Sequence, residues 1–123
     1  MLLDEKFNLA EKLFELYDAP VMQFDFVDGR LFVVGANILR VIDIKSREET
    51  NYYSDGIIAH FSVNKSGKYV FVSNGFIGHL LSSKLEKLSS FENSNQMAFL
   101  TSAFYDDSKL LVSANAKVSI YEL

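Results

Sequence analysis

Gly29 to Ile44 reads GRLFVVGANILRVIDI: a turn, a short apolar strand, a second turn and another strand. The chain writes this design three times with no internal gap, as GKYVFVSNGFIGHLLS at Gly67 to Ser82 and as SKLLVSANAKVSIYEL at Ser108 to Leu123. Successive copies begin 38 and 41 residues apart. Laid over one another, they put Leu31, Tyr69 and Leu110 in one slot, Val33, Phe71 and Val112 in a second, and Leu39, Ile77 and Val118 in a third. These slots are predicted core. Val41, His79 and Ile120 share a fourth, so His79 reads as a partly buried histidine in an otherwise aliphatic position.

Short-strand units repeating at about forty residues are the pattern of β-propeller blades. Working outward from the first copy, Val21 to Phe26 alternates at the period of a strand, and Asp28-Gly29 turns the chain. Leu31 to Val34 is a continuous apolar run, suited to a central strand buried on both faces. Ile38 to Ile44 runs back after a turn at 35–37, and Glu49 to Tyr53 completes the unit as an outer strand. The second unit offers Ile57 to Val63, Lys68 to Ser73, Phe76 to Ser82 and an outer strand at Leu85 to Phe91. The third offers Ala98 to Tyr105, Leu110 to Ala114 and Lys117 to Leu123, and lacks its outer strand. The fold expected is all-β: one partial propeller domain over residues 1–123, with repeats at about 12–45, 46–83 and 84–123. Before the first unit, Leu3 to Ala10 has helical spacing with Asp4 as N-cap, and Lys12 to Tyr17 is expected as an outer strand.

Composition narrows the class. With 49% hydrophobic and 23% charged residues and a single proline, the chain is neither disordered nor low-complexity. Aromatic residues are all Phe and Tyr, which favour strands. A net charge of −4 with scattered basic residues argues against direct phosphate-driven binding of nucleic acid. Without cysteine, disulfides and thiolate metal sites are excluded. No apolar run is long enough for a signal peptide or a membrane span, so an intracellular, non-membrane protein is expected.

No catalytic constellation emerges. A zinc site needs several converging ligands, and the only histidines are His60 and His79. His60 and Ser62 share one face of an alternating strand, which reads as packing in the absence of an orienting acid. Gly75 and Gly78 lack the Lys-Ser or helix start of a phosphate loop. The acid pairs Glu48-Glu49 and Asp106-Asp107 fall in turns, while Lys45, Arg47, Lys84 and Lys87 flank outer strands, where charge suppresses strand pairing. The expected site is therefore empty: no catalytic, cofactor-binding or metal-binding residue, no cofactor, and no enzyme activity.

The three copies resemble the WD-repeat propellers. That family closes its third strand on Trp-Asp; the matching pairs here are Ile42-Asp43, Leu80-Leu81 and Tyr121-Glu122, so only the first keeps the acid and none the Trp. FNLAEKLFELYDAP leading into DGRLFVVGANILRVIDI is similar to the opening of the transducin-beta-like WD proteins of the small-subunit processome. That resemblance implies a scaffold in ribosome assembly, with protein partners, nucleic acid met only within a complex, and a nucleolar location; without it the location is cytoplasmic. GKYVFVSNG also resembles the YVTN-type bacterial repeat, which implies the alternative of a propeller enzyme or ligand-binding propeller. There Asp25, His60 and Asp106 would have to converge at one mouth of the channel. Three blades cannot close a ring, so the remaining blades of a longer chain or a second copy are expected to complete it.

Overall fold

Within each blade the described chain runs as antiparallel hairpins. The structure, a computed structural model, describes residues 21–92, 100–114 and 117–123. Among them are eleven strands and no helix. The helix expected at Leu3 to Ala10 and the strand at Lys12 to Tyr17 lie outside the described residues.

Blade 1 is a four-stranded sheet in chain order, β1 (Gln23–Val27), β2 (Arg30–Gly35), β3 (Ile38–Asp43) and β4 (Glu49–Tyr53). Blade 2 repeats it with β5 (His60–Val63), β6 (Tyr69–Ser73), β7 (Ile77–Ser82) and β8 (Lys87–Glu92). Blade 3 has three strands, β9 (Thr101–Asp106), β10 (Lys109–Ala114) and β11 (Lys117–Glu122). The first strands of successive blades lie side by side, β1 by β5 and β5 by β9. The result is an open, partial propeller.

Turn chemistry sets the hairpins. Asp28 and Gly29 take φ of 51° and 76°, which lets two residues join β1 to β2 with the twist the strands need. Ile57 to Ala59, expected as strand, is instead a connector: the Ile58 N–H donates to the Ala36 carbonyl at 2.9 Å and the Ile58 side chain is buried. The same device recurs one blade on, where Leu100 N–H donates to the Gly75 carbonyl at 2.8 Å.

Face-to-face packing of the blades makes two apolar cores. Phe32, Val34, Leu39 and Val41 of blade 1 meet Phe61, Val70, Val72 and Leu81 of blade 2. On the other side of blade 2, Phe71 and Leu80 meet Leu100, Leu110 and Val112. The central strands β2 and β6 are buried on both faces, as their apolar runs predict.

The cores also correct the gap-free overlay. The turn between β2 and β3 encloses 36–37, the one between β6 and β7 is closed by Asn74 N–H on the Ile77 carbonyl, and the one between β10 and β11 is closed by the pair Ala114 and Lys117. Equivalent residues thus run Gly35, Asn74, Ala114, and the spacings are 39 and 40 rather than 38 and 41. A one-residue slip moves every side chain to the opposite face. Phe32, Phe71 and Leu111 are therefore equivalent, as are Val41, Leu80 and Ile120, and His79 corresponds to Arg40 and Ser119 rather than to an aliphatic slot. The overlay failed in the second unit alone: two residues link β1 to β2, whereas a longer loop around Asn64 to Lys68 links β5 to β6, and the first and third copies stay aligned.

Candidate functional site

Three places on this frame could carry function: a polar cluster between the first strands of blades 2 and 3, a groove between blades 1 and 2, and the uncovered blade faces.

The cluster is built by β5 and β9. His60 and Ser62 share the face of β5 that looks at blade 3, as strand alternation requires, and Ser102 looks back from β9. Ser102 N–H donates to His60 Nε2 at 3.0 Å, the Ser102 hydroxyl lies 2.9 Å from the same nitrogen, and the Ser62 and Ser102 hydroxyls are 2.6 Å apart. The ring is half-buried and tilts against Phe71 at 6.5 Å between centroids. Burial is the larger of two opposing effects on this imidazole and leaves its pKa below the ordinary histidine value. Ser102 could not be found from sequence, because it lies forty residues from Ser62 on another strand and no local pattern links them.

The groove, about 210 Å³, opens where the end of β4 and the connector after it meet β7 and β8. Tyr52, Tyr53 and Asp55 form one wall, Ile77, His79 and Lys87 another. Burial raises the Tyr52 phenol, with Asp55 adding to it. Burial and then Lys87 lower the His79 imidazole against a pull from Asp55, and His79 Nδ1 lies 2.9 Å from the Ser90 hydroxyl.

Asp25, His60 and Asp106 are not brought together. Asp25 accepts the Phe26 N–H at 2.8 Å, and Asp106 accepts the Ser108 N–H at 2.9 Å and lies 3.6 Å from Lys109. Asp106 is held below the usual carboxylate range chiefly by that Ser108 bond. Asp107 accepts the Ser66 N–H at 3.2 Å across the blade boundary. Of the other acid pair, Glu49 is not turn chemistry: it opens β4 and pairs with Arg40. Among the described residues no group of three or more histidine or acidic side chains could hold a metal ion, and no helix is long and apolar enough to cross a membrane.

The surviving acid of the Ile42-Asp43 pair caps a turn. Asp43 Oδ1 accepts the N–H groups of Lys45 and Ser46 at 2.9 and 3.0 Å, and the Ser46 bond is the main reason its pKa is lowered. Its true counterpart in blade 2 is Ser82, whose hydroxyl accepts the N–H groups of Lys84 and Glu86, both at 3.2 Å. The second pair of the motif is therefore Leu81-Ser82, not Leu80-Leu81.

The face of blade 3 turned away from blade 2 is open, and the outward face of blade 1 is exposed at β1 although Val33 and Ile42 on it are buried. Val118 and Ile120 of blade 3 are 63% and 66% exposed, although their equivalents in blade 2, Gly78 and Leu80, are buried. Phe24 and Phe26 on the outward face of blade 1 are 71% and 57% exposed.

No protein-family model matches the sequence, and no curated protein matches it significantly. Solved structures do: the crystal structure of the WD40 repeats of RRP9 superposes with a TM-score of 0.70 over 89% of this chain at 10% identity. The fold is that of WD40 blades. The chain spans 37% of the length of that structure, in keeping with a partial propeller.

Proposed function

We propose that this chain is a non-catalytic scaffold, a single partial propeller over residues 1–123 that works by assembling with other proteins. The observation that carries the reading is the open face of blade 3, where Val118 and Ile120 stand exposed in slots that Gly78 and Leu80 fill inside the array. Contiguous exposed apolar surface marks an interaction site in a soluble protein. Here it matches a surface already packed twice within the chain, so its natural cover is another blade, from the rest of a longer chain or from a second copy.

The specific setting proposed is small-subunit ribosome assembly, in the nucleolus, with RNA met only through the complex. It is supported by the N-terminal resemblance and by the likeness to the WD40 repeats of RRP9. Sedimentation of the 123-residue chain, alone and with added cell extract, tests the scaffold reading: self-association or entry into a larger particle supports it, and a sharply melting monomer that enters none overturns it. Recovery of that particle with small-subunit precursor RNA supports the setting, and its absence there removes the setting alone.

A further inference from the structure

We propose that His60 is a pH-sensitive latch that fastens blade 3 to blade 2 and is released when its ring is protonated. The latch is geometric. A ring nitrogen that receives the Ser102 N–H at 3.0 Å must offer a lone pair, which only the neutral tautomer protonated on Nδ1 has at Nε2. Placing a proton on Nε2 sets N–H against N–H, so the β9 main chain must move away from β5 or the ring must turn out of the interface. The Ser102 and Ser62 hydroxyls extend the same cluster at 2.9 and 2.6 Å, and both lose their arrangement when the ring turns.

Among the described residues the other blade interface has no histidine in such a place. Phe61 pairs with Val72 as Ser102 pairs with Val112, and Phe61 is buried in the first apolar core. Blade 3 thus carries a hydroxyl where blade 2 carries a phenyl ring. Among the described residues the first interface gathers ten buried apolar side chains and the second five, so a polar fastening weighs more in the second.

Among the described residues nothing charged compensates the protonated ring. On β5 its neighbour is Ser62; from β6 come Phe71 and Ser73, with Tyr69 further along the same face; from β9 comes Ser102. Asp106 lies beyond the bulge in β9, where it pairs with Lys109 on the opposite face of the sheet, bonded to Ser108 and Lys109. Among the described residues no charged group contributes to the shift of the His60 pKa; burial lowers it, outweighing an upward pull from the Ser102 main chain. Unfolded or unlatched chain therefore takes up the proton first as pH falls. The latch is complete above the ordinary histidine value and is lost below it, down to the lowered value.

Hydrogen exchange and ring titration by NMR on the full chain, from about pH 7.5 to about pH 5, span that range. Corrected for intrinsic rates, exchange at the Ser102 amide and across β9 to β11 should accelerate by up to about tenfold per pH unit on the way down, while β1 to β4 stay unchanged. His60→Gln, whose side-chain oxygen accepts the same N–H without titrating, should abolish the acceleration. The proposal is overturned if Ser102 keeps its protection at low pH, if His60→Gln accelerates as the parent does, or if His60 titrates at or above its ordinary value. Should the variant not fold, the parent's ring titration and Ser102 exchange decide alone.

Discussion

The phenyl ring of Phe71 fills the space that a side chain at position 78 would need. A Cβ built on Gly78 overlaps the ring's Cζ and comes within 3.1 Å of both Cε atoms. The equivalent of Gly78 in blade 1 is Leu39, beside Phe32, and both are fully buried. One interface therefore divides its volume between two large side chains and the other gives it to one, lodged between Gly78 and the third blade. Gly78→Ala should cost roughly 1–3 kcal/mol of stability in urea unfolding, the usual range for overpacking. Shortening the neighbour as well, in Phe71→Leu with Gly78→Ala, should recover part of it as a favourable coupling in the double-mutant cycle. A Gly78→Ala protein as stable as the parent would show that the ring can move aside.

Arg30 ties blade 1 to blade 2 through main-chain carbonyls. Its guanidinium donates to the Gly67 carbonyl at 2.7 Å and the Ser83 carbonyl at 3.2 Å, and its carbon centre lies 5.2 Å from the Phe32 ring centroid. Gly67 needs its φ of 72°, and a Cβ there would stand 2.6 Å from Arg30 Nη2. Removing the guanidinium in Arg30→Ala should cost about 1.5–3 kcal/mol. Arg30→Lys should rescue little, because a point ammonium cannot span both carbonyls as a fork does. Chemical denaturation of the three proteins separates these outcomes, and full rescue by lysine would refute the fork.

Strand positions were legible in the sequence, and the packing of those strands was not. The outer strand at Glu49 to Tyr53 and the central runs in β2, β6 and β10 follow from alternation and turn residues that lie within a few positions of one another. Which face each residue takes depends on the exact length of the turns. Aligning Gly29 with Gly67 hides the extra residues after Asn64, whose side chain accepts the Tyr69 N–H at 3.0 Å and reaches the Asp107 carbonyl at 3.3 Å. Those bonds explain why a longer turn is kept there: it braces blade 3. His60 was visible as a strand histidine, but its partner was not, because contact between blades leaves no periodic trace in the chain.

Glu49 should dominate the acid limb of stability in blade 1. It receives the Arg40 guanidinium through two bonds of 2.7 and 3.0 Å, and the bonding to Arg40 holds its pKa below the usual carboxylate range. A carboxylate that binds its proton less readily folded than unfolded stabilises fully above its unfolded value and loses that contribution as pH falls through the lowered one. Glu49→Gln should lower stability near neutral pH by about 0.5–1 kcal/mol, as expected for a partly exposed bidentate pair, and flatten the decline at acid pH. Melting curves collected on both sides of the ordinary glutamate range would show this, and parallel curves for variant and parent would remove the pair from the account.

One slot has two fates: Val41 and Leu80 are each only 4% exposed inside the array, whereas Ile120 in the equivalent position of blade 3 is 66% exposed. A lysine in this slot should therefore do different things in different blades. Val41→Lys and Leu80→Lys bury an unpaired charge and should cost about 3 kcal/mol or more, enough to unfold a marginally stable chain. Ile120→Lys faces solvent and should shift stability by no more than about 0.5 kcal/mol. It should nevertheless weaken whatever association the parent chain shows, because it places an ammonium at the centre of the open face. Thermal melting and sedimentation of the three variants make the contrast. If Ile120→Lys melts as early as Leu80→Lys, the third face is covered within the folded chain; if it melts normally and associates as the parent does, assembly does not run through that face.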